Sequence, residues 1–270
     1  MSERRQMAVL ASLSIGTLTC FGWLLVCPHR ADCLNALTRV DTWLSAGTRI
    51  VLPWAAASLA IWLTLLIWRL VRTTLRIAAL HRVDNAPPAL VAAMDRTGVD
   101  GVRCLLADAP AAFCAGILRP RIFVSEGLLS RVGEDELDAV LLHEQEHVRT
   151  FEPVLRAALD SASEVFFYVP LVRWWSRRRV EDSELRADRV ALERLGPQPV
   201  AAALWVLGGS TAAKGVAAFG GVAELRVAQL LGDRLPTRAP GLPLVGISAM
   251  GSYLAFQVAS CLVQATQRLM

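Results

Sequence analysis

Three apolar runs decide what kind of molecule this chain can become. Residues 7–26 are apolar apart from scattered serine and threonine, residues 51–68 carry no charge, and residues 242–263 hold Gln257 as their one strongly polar side chain. Each is close to the roughly 20 residues that a helix needs to cross about 30 Å of hydrocarbon. Three transmembrane helices are therefore expected. Composition agrees, since 54% of the 270 residues are hydrophobic and 19% charged, against about 45–50% and about 25% in ordinary soluble domains. A formal charge of +4 gives no ground for direct binding to nucleic acid. Arg4 and Arg5 ahead of the first run are compatible with a signal peptide. Against that, the run is long and Cys27-Pro28-His29-Arg30 offers no small-residue cleavage site.

Arginine placement orients the spans. Arg4 and Arg5 precede the first, Arg69, Arg72, Arg76 and Arg82 follow the second, and the loop between sets Arg30, Arg39 and Arg49 against Asp32 and Asp41. The positive-inside rule then puts the N-terminus, and everything from about Arg69 to Gly241, in the cytosol. The expected organisation is residues 1–72 with two spans and a short outer loop, a cytosolic domain over 73–240, and a C-terminal span in 241–270. Such a chain is a multi-pass protein of the cell membrane in contact with lipid. Residues 165–175 form a short apolar run broken by Pro170 and Arg173; it reads as interfacial or re-entrant, with a short fourth span as the alternative. Cys20, Cys27, Cys33, Cys104, Cys114 and Cys261 form no CxxC pair, which excludes a zinc knuckle or a thioredoxin-like centre. Cys27 and Cys33 fall on the outer loop, where a disulfide is allowed but is not the favoured reading.

Within the cytosolic part, Pro87-Pro88 introduces a short helix over 89–95, and residues 102–124 have β character. Segments 102–106, 111–115 and 121–124 are separated by the turn signals Asp108-Ala109-Pro110 and Leu118-Arg119-Pro120, which predicts a small sheet. Gly133 then caps a helix whose first turn, Glu134, Asp135 and Glu136, suits the positive end of its dipole. Leu137, Val140, Leu141 and Val148 recur at helical spacing and carry it at least to Arg149.

That helix contains His143-Glu144-Gln145-Glu146-His147, an HExxH motif. A four-residue step stacks both imidazoles on one face, so His143 and His147 can bind one Zn2+ while Glu144 polarises water as general base. A catalytic zinc needs a third protein ligand and an open position. His29 is expected outside and His81 at the membrane exit, so neither suits. A second helix around Glu181 to Arg189 sets Glu184 and Asp188 four apart on one face. One of these carboxylates can ligate zinc while the other accepts a hydrogen bond from a ligand histidine. Glu184 is the preferred third ligand and Glu181 the reserve. The competing reading is a solvated helix of Arg and Glu pairs, which Arg177, Arg178 and Arg179 favour.

A wider pattern surrounds these residues: Leu118-Arg119-Pro120-Arg121-Ile122-Phe123-Val124, then Glu126-Gly127-Leu128-Leu129, then Glu136-Leu137 leading into the HExxH helix, then Glu184-x-x-Ala187-Asp188. Leu225-Arg226-Val227 continues it more weakly. Over about residues 86–235 the chain resembles the BlaR/MecR-type antirepressor metallopeptidases. The resemblance implies a mainly α membrane protein, with three or four transmembrane helices and a cytosolic gluzincin-like zinc peptidase domain carrying a small β-sheet. It also implies zinc on His143, His147 and Glu184, Glu144 as general base, and Asp188 hydrogen-bonded behind the ligands. The substrate it implies is a cytosolic winged-helix repressor of the BlaI kind.

Sensing members of that family continue past their last span into an extracellular penicillin-binding domain, whereas this chain stops at Met270. Acylation by β-lactams is therefore not expected, and a signal would enter through residues 28–49, the membrane or a partner. A peptide backbone would be held along 111–115 if that segment is an edge strand. A quality-control or processing peptidase of the HtpX or CAAX kind is the alternative enzyme, and a non-catalytic membrane scaffold the alternative of another class. An intramembrane site is disfavoured, because Glu134, Asp135, Glu136 and Asp138 would be costly in lipid. The sequence leaves a homodimer open.

Overall fold

The computed structural model describes residues 40–83, 85–212, 220–233 and 239–269. The first expected span, His29, Cys27 and Cys33 lie outside the described residues. What is described is mainly helical with one small sheet. The order is α1 (Val40–Ala78), α2 (Pro88–Thr97), β1 (Arg103–Leu105), β2 (Ala112–Ala115), β3 (Arg121–Ser125), α3 (Glu126–Leu129), α4 (Glu134–Arg149), α5 (Glu152–Val165), α6 (Pro170–Leu195), α7 (Pro197–Ala212), α8 (Gly220–Leu230) and α9 (Leu242–Leu269). Two compact units divide it, one from the described parts of Met1–Leu65, Ser161–Trp175 and Arg238–Met270, the other from Leu66–Asp160 and Ser176–Thr237.

Among the described residues, Leu52–Ala78 of α1 is the segment both long and apolar enough to cross a membrane, and none of its apolar window is buried by protein. Its 27 residues rise about 40 Å, more than the hydrocarbon requires. The uncharged part ends at Trp68, and the Arg72 guanidinium lies 5.1 Å from that ring. An aromatic with a cation beside it is what a lipid boundary favours. In the first unit, α9 includes the shorter apolar helix Leu242–Val258. Residues 165–175 are two helix ends joined by a turn, since α5 stops at Val165 and α6 begins at Pro170, where a missing N–H costs nothing. Ser248 Oγ accepts the Leu171 N–H at 2.9 Å. Gly251 lies so close to the Tyr168 carbonyl that a Cβ would collide with it, so only glycine lets α9 approach this turn.

The second unit holds the sheet, in the order β1-β3-β2, with β1 parallel and β2 antiparallel to β3. Cys104, Ile122 and Val124 on one face meet Leu90 and Ala93 of α2 and Leu137, Val140 and Leu141 of α4. The opposite side of α4 buries Ala139 and Leu142 against Ala191 of α6 and Val200 of α7. Arg96 forks onto Asp138 with two contacts of 2.9 Å, and Asp138 is buried, so α2 is locked to α4 by charge as well as packing. The Glu136 carboxylate returns to accept the Gly133 N–H, the half of a capping box that a glycine N-cap allows at the start of α4. These contacts fix the HExxH helix along its length.

Ser125 fixes the strand beside it. Its buried hydroxyl accepts the N–H groups of Leu128 and Ala111 and donates to the Ala109 carbonyl, capping α3 and fastening the loop that enters β2. The Ser125 N–H donates to the Ala111 carbonyl. Antiparallel pairing alternates, so Ala111, Phe113 and Ala115 turn their main-chain groups to β3 while Ala112 and Cys114 turn theirs outward. No described strand covers that outer edge. β1 and β2 form inside the segments marked by the turn signals, β3 runs one residue past its segment to Ser125, and α3, α5, α7 and α8 are elements that the sequence pattern did not mark.

Candidate metal centre

α4 and α6 bring three donors to one point. His143 Nε2 and His147 Nε2 are 3.1 Å apart. Glu184 of α6 sets one carboxylate oxygen 3.6 Å from His143 Nε2 and the other 3.9 Å from His147 Nε2. One ligand atom from each of the three lies within 4.8 Å of the others. A single proton can bridge only one pair of such groups, whereas one cation can satisfy all three. The donor set, two imidazole nitrogens and a carboxylate oxygen, is one that suits zinc with a position left open. The residues present therefore fit the metal.

Behind the donors stand polar partners. His143 Nδ1 lies 2.9 Å from Asp188 Oδ1, and because a carboxylate only accepts, Nδ1 carries the hydrogen and Nε2 is left to face the centre. Asp188 is itself held by a fork from Arg226 of α8, at 2.6 and 2.7 Å. Arg226 also reaches within 3.3 Å of Glu184, and Arg156 of α5 donates to the other oxygen of Glu184 at 3.0 Å. Ser183 Oγ lies 3.5 Å from His147 Nδ1 and donates to Glu152 at 2.8 Å.

Charge in this buried cluster follows from these contacts. Burial disfavours a charged His143, but hydrogen bonds to Asp188 and Glu184 outweigh it and raise the ring to about 9. His147 is lowered to about 4, by burial first and then by the charge on His143. The two rings thus take a first proton readily and a second reluctantly. Burial works against a charged Glu184 too, yet the bond and charge of His143 hold its carboxyl far below the usual range. Asp188 is depressed because His143 and Arg226 overcome its burial. Glu144 moves the other way: burial raises it, Glu184 adds to that, and His143, Arg226 and the Cys114 backbone N–H only moderate it. Burial, then Glu144 and Glu152, push the Cys114 thiol up to about 12.

Of the residues singled out by sequence, His143, His147 and Glu184 converge, Asp188 stands on His143, and Glu144 is buried beside them under β2. Glu181 does not join the group; it faces Arg178 at 3.4 Å. His81 is exposed and also outside it. Arg156, Ser183 and Glu152 also belong to the cluster, and no sequence motif marks them. Ser183 adjoins Glu184, and Arg226 sat in a weak motif, but Glu152 follows a helix break that hides its relation to His147.

An HExxH helix completed by a carboxylate from a second helix defines a metallopeptidase centre. The sequence model of the BlaR1 peptidase M56 family matches residues 26–200, and the chain belongs to that family. By family it is a BlaR1-like membrane metallopeptidase. No curated protein matches the chain.

Proposed function

We propose that this protein is an integral-membrane zinc endopeptidase with a gluzincin-like catalytic domain, cutting a cytosolic regulator of the BlaI-like repressor kind. The observation that carries the reading is the convergence of His143, His147 and Glu184 within 4.8 Å, with Glu144 buried on the same helix. When bound there, zinc supplies Lewis-acid polarisation and brings the pKa of its water toward about 7. Glu144 takes the proton of the attacking water and returns it to the leaving amine. Its raised affinity for a proton matches that work. Asp188 and Arg226 hold His143 and Glu184 in place. The outward main-chain groups of Ala112 and the outward carbonyl of Cys114 on β2 offer an extended peptide an antiparallel partner, next to the Glu144 that the Cys114 N–H already engages.

The remaining organisation is part of the same proposal. Helices over residues 7–26, 51–68 and the last thirty residues cross the bilayer, and 73–240 lie on the cytosolic side. The apolar α1 with its arginines after Trp68 supports that orientation. An edge strand requires an extended substrate, and a linker between the DNA-binding and dimerisation parts of a repressor meets that need. Cutting it separates dimerisation from operator binding, so affinity for two half-sites collapses. The test is co-expression of a BlaI-like repressor with the wild-type protein and with Glu144→Gln under inducing conditions. Shortening by the wild type alone is expected. Intact repressor beside demonstrably active enzyme would move the substrate to the damaged or lipidated proteins of the quality-control alternative.

A further inference from the structure

The two histidines are supported unequally. His143 leans directly on Asp188. Among the described residues, the one hydrogen-bond partner at His147 Nδ1 is the Ser183 hydroxyl, at 3.5 Å. Ser183 is buried, as are His147 and Glu152. Glu152 Oε2 lies 2.8 Å from Ser183 Oγ. A carboxylate only accepts, so the single hydroxyl proton of Ser183 points at Glu152, and the free lone pairs of Ser183 turn to His147. The His147 hydrogen then belongs on Nδ1, and Nε2 is left as the electron pair facing His143 and Glu184.

The backbone points the same way. Phe151 has φ 52, the one positive value among described non-glycine residues, and is half exposed. Bulky side chains avoid this region, and such strain persists where the surroundings require it. The left-handed residue ends the turn after α4 and starts α5 at Glu152. A glutamate in the first turn of a helix is ordinarily explained by the dipole. That explanation accounts for a charge at a surface, not for a carboxylate 4% exposed and aimed at a hydroxyl beside a ligand. Arg156, 3.7 Å from its other oxygen, offsets the buried charge.

We infer that Glu152 is a positioning residue, acting through Ser183 to fix the tautomer and orientation of His147 as a metal ligand. The inference rests on the proposed metal centre and deepens it. Outer partners of this kind influence metal affinity by about 10–100-fold when removed.

The experiment uses the full-length protein in detergent. Ser183→Ala should weaken zinc binding, measured by chelator competition, by about 10-fold or more, and Glu152→Gln should weaken it in the same direction. Because Glu152 acts through Ser183, adding Glu152→Gln to Ser183→Ala should change affinity by less than about two-fold, the non-additivity of a shared network. Full additivity, or wild-type affinity in folded Ser183→Ala, overturns the relay. A second reading needs no variant and no metal: 15N NMR of labelled histidine, in a chain with only four, reports the tautomer of His147 in the metal-free protein. A hydrogen on Nδ1 is expected, and a hydrogen on Nε2 overturns the relay. Failure of wild-type protein to take up zinc would instead sink the metal centre, which the tautomer measurement does not touch.

Discussion

Asp188, 1% exposed, lies 2.9 Å from Nδ1 of His143 and so sets which nitrogen of that ring faces the centre. The same carboxylate is gripped by Arg226 from a helix some forty residues further on. One buried anion therefore joins three helices and the metal site. Its charge is balanced by Arg226 and, when protonated, His143.

Removing that balance has a calculable effect. Arg226→Met leaves Asp188 buried without its fork and should destabilise the fold by roughly 3–5 kcal/mol. The measurement is denaturant unfolding of the full chain in detergent. Arg226→Lys should recover only part, since an ammonium cannot make both contacts. A loss no larger than that of an exposed arginine would show that the Asp188 charge is not compensated in this way.

The metal should follow the three converging donors. Purified protein should hold one zinc, and His143→Ala, His147→Ala or Glu184→Ala should each lose most of it by elemental analysis. Glu181→Ala should keep it, because Glu181 faces Arg178 and not the centre. Full occupancy in Glu184→Ala would mean that the third ligand lies elsewhere.

Acidity acts on the metal-free protein from both sides. His143 is raised from 6.5 to about 9; its proton stabilises the fold fully below about pH 6.5, and that stabilisation is lost as pH rises through about 9. His147 is lowered from 6.5 to about 4; the unfolded ring takes a proton that the folded ring refuses, so stability falls as pH drops from about 6.5 toward 4. Glu184 and Asp188, both depressed, lose their contribution on the acid side as well. Thermal unfolding without metal should therefore peak near neutrality, and His143→Gln should remove the alkaline decline. At pH 8, zinc should displace about one proton per ion in a weakly buffered solution. A flat profile with no proton release would contradict the shared-proton description of the two rings.

Much of this centre was legible because its signals are local. The four-residue step of His143 and His147 and that of Glu184 and Asp188 are helical spacings that any sequence displays. The strands were legible from Asp108-Ala109-Pro110 and Leu118-Arg119-Pro120, whose turn chemistry is local too. The register was not: nothing in residues 103–105 says that they run parallel to 121–125 with 112–115 on the far side. Arg156, Ser183 and Glu152 were illegible for a similar reason. Their contacts span helix breaks, and Glu152 is aimed by the φ of one residue, Phe151. In residues 165–175 the break was legible at Pro170, which interrupts the apolar run and starts a new helix there.

Topology is open to chemical labelling. A single cysteine at position 33 should react with an impermeant thiol reagent on intact cells. One placed at Glu134, whose side chain is 82% exposed, should react only after the membrane is opened. Native Cys104 is too buried to serve. The reverse pattern would put the centre outside the cell and remove a cytosolic substrate.

The central claim is that Glu144 moves protons while His143, His147 and Glu184 hold metal, and Glu144→Gln separates the two. The decisive measurement is zinc content and peptide-bond hydrolysis on the same purified sample, wild type beside variant. Zinc near one per chain in both, with hydrolysis reduced at least about 100-fold in the variant, is the predicted result. Undiminished turnover by Glu144→Gln would contradict the account.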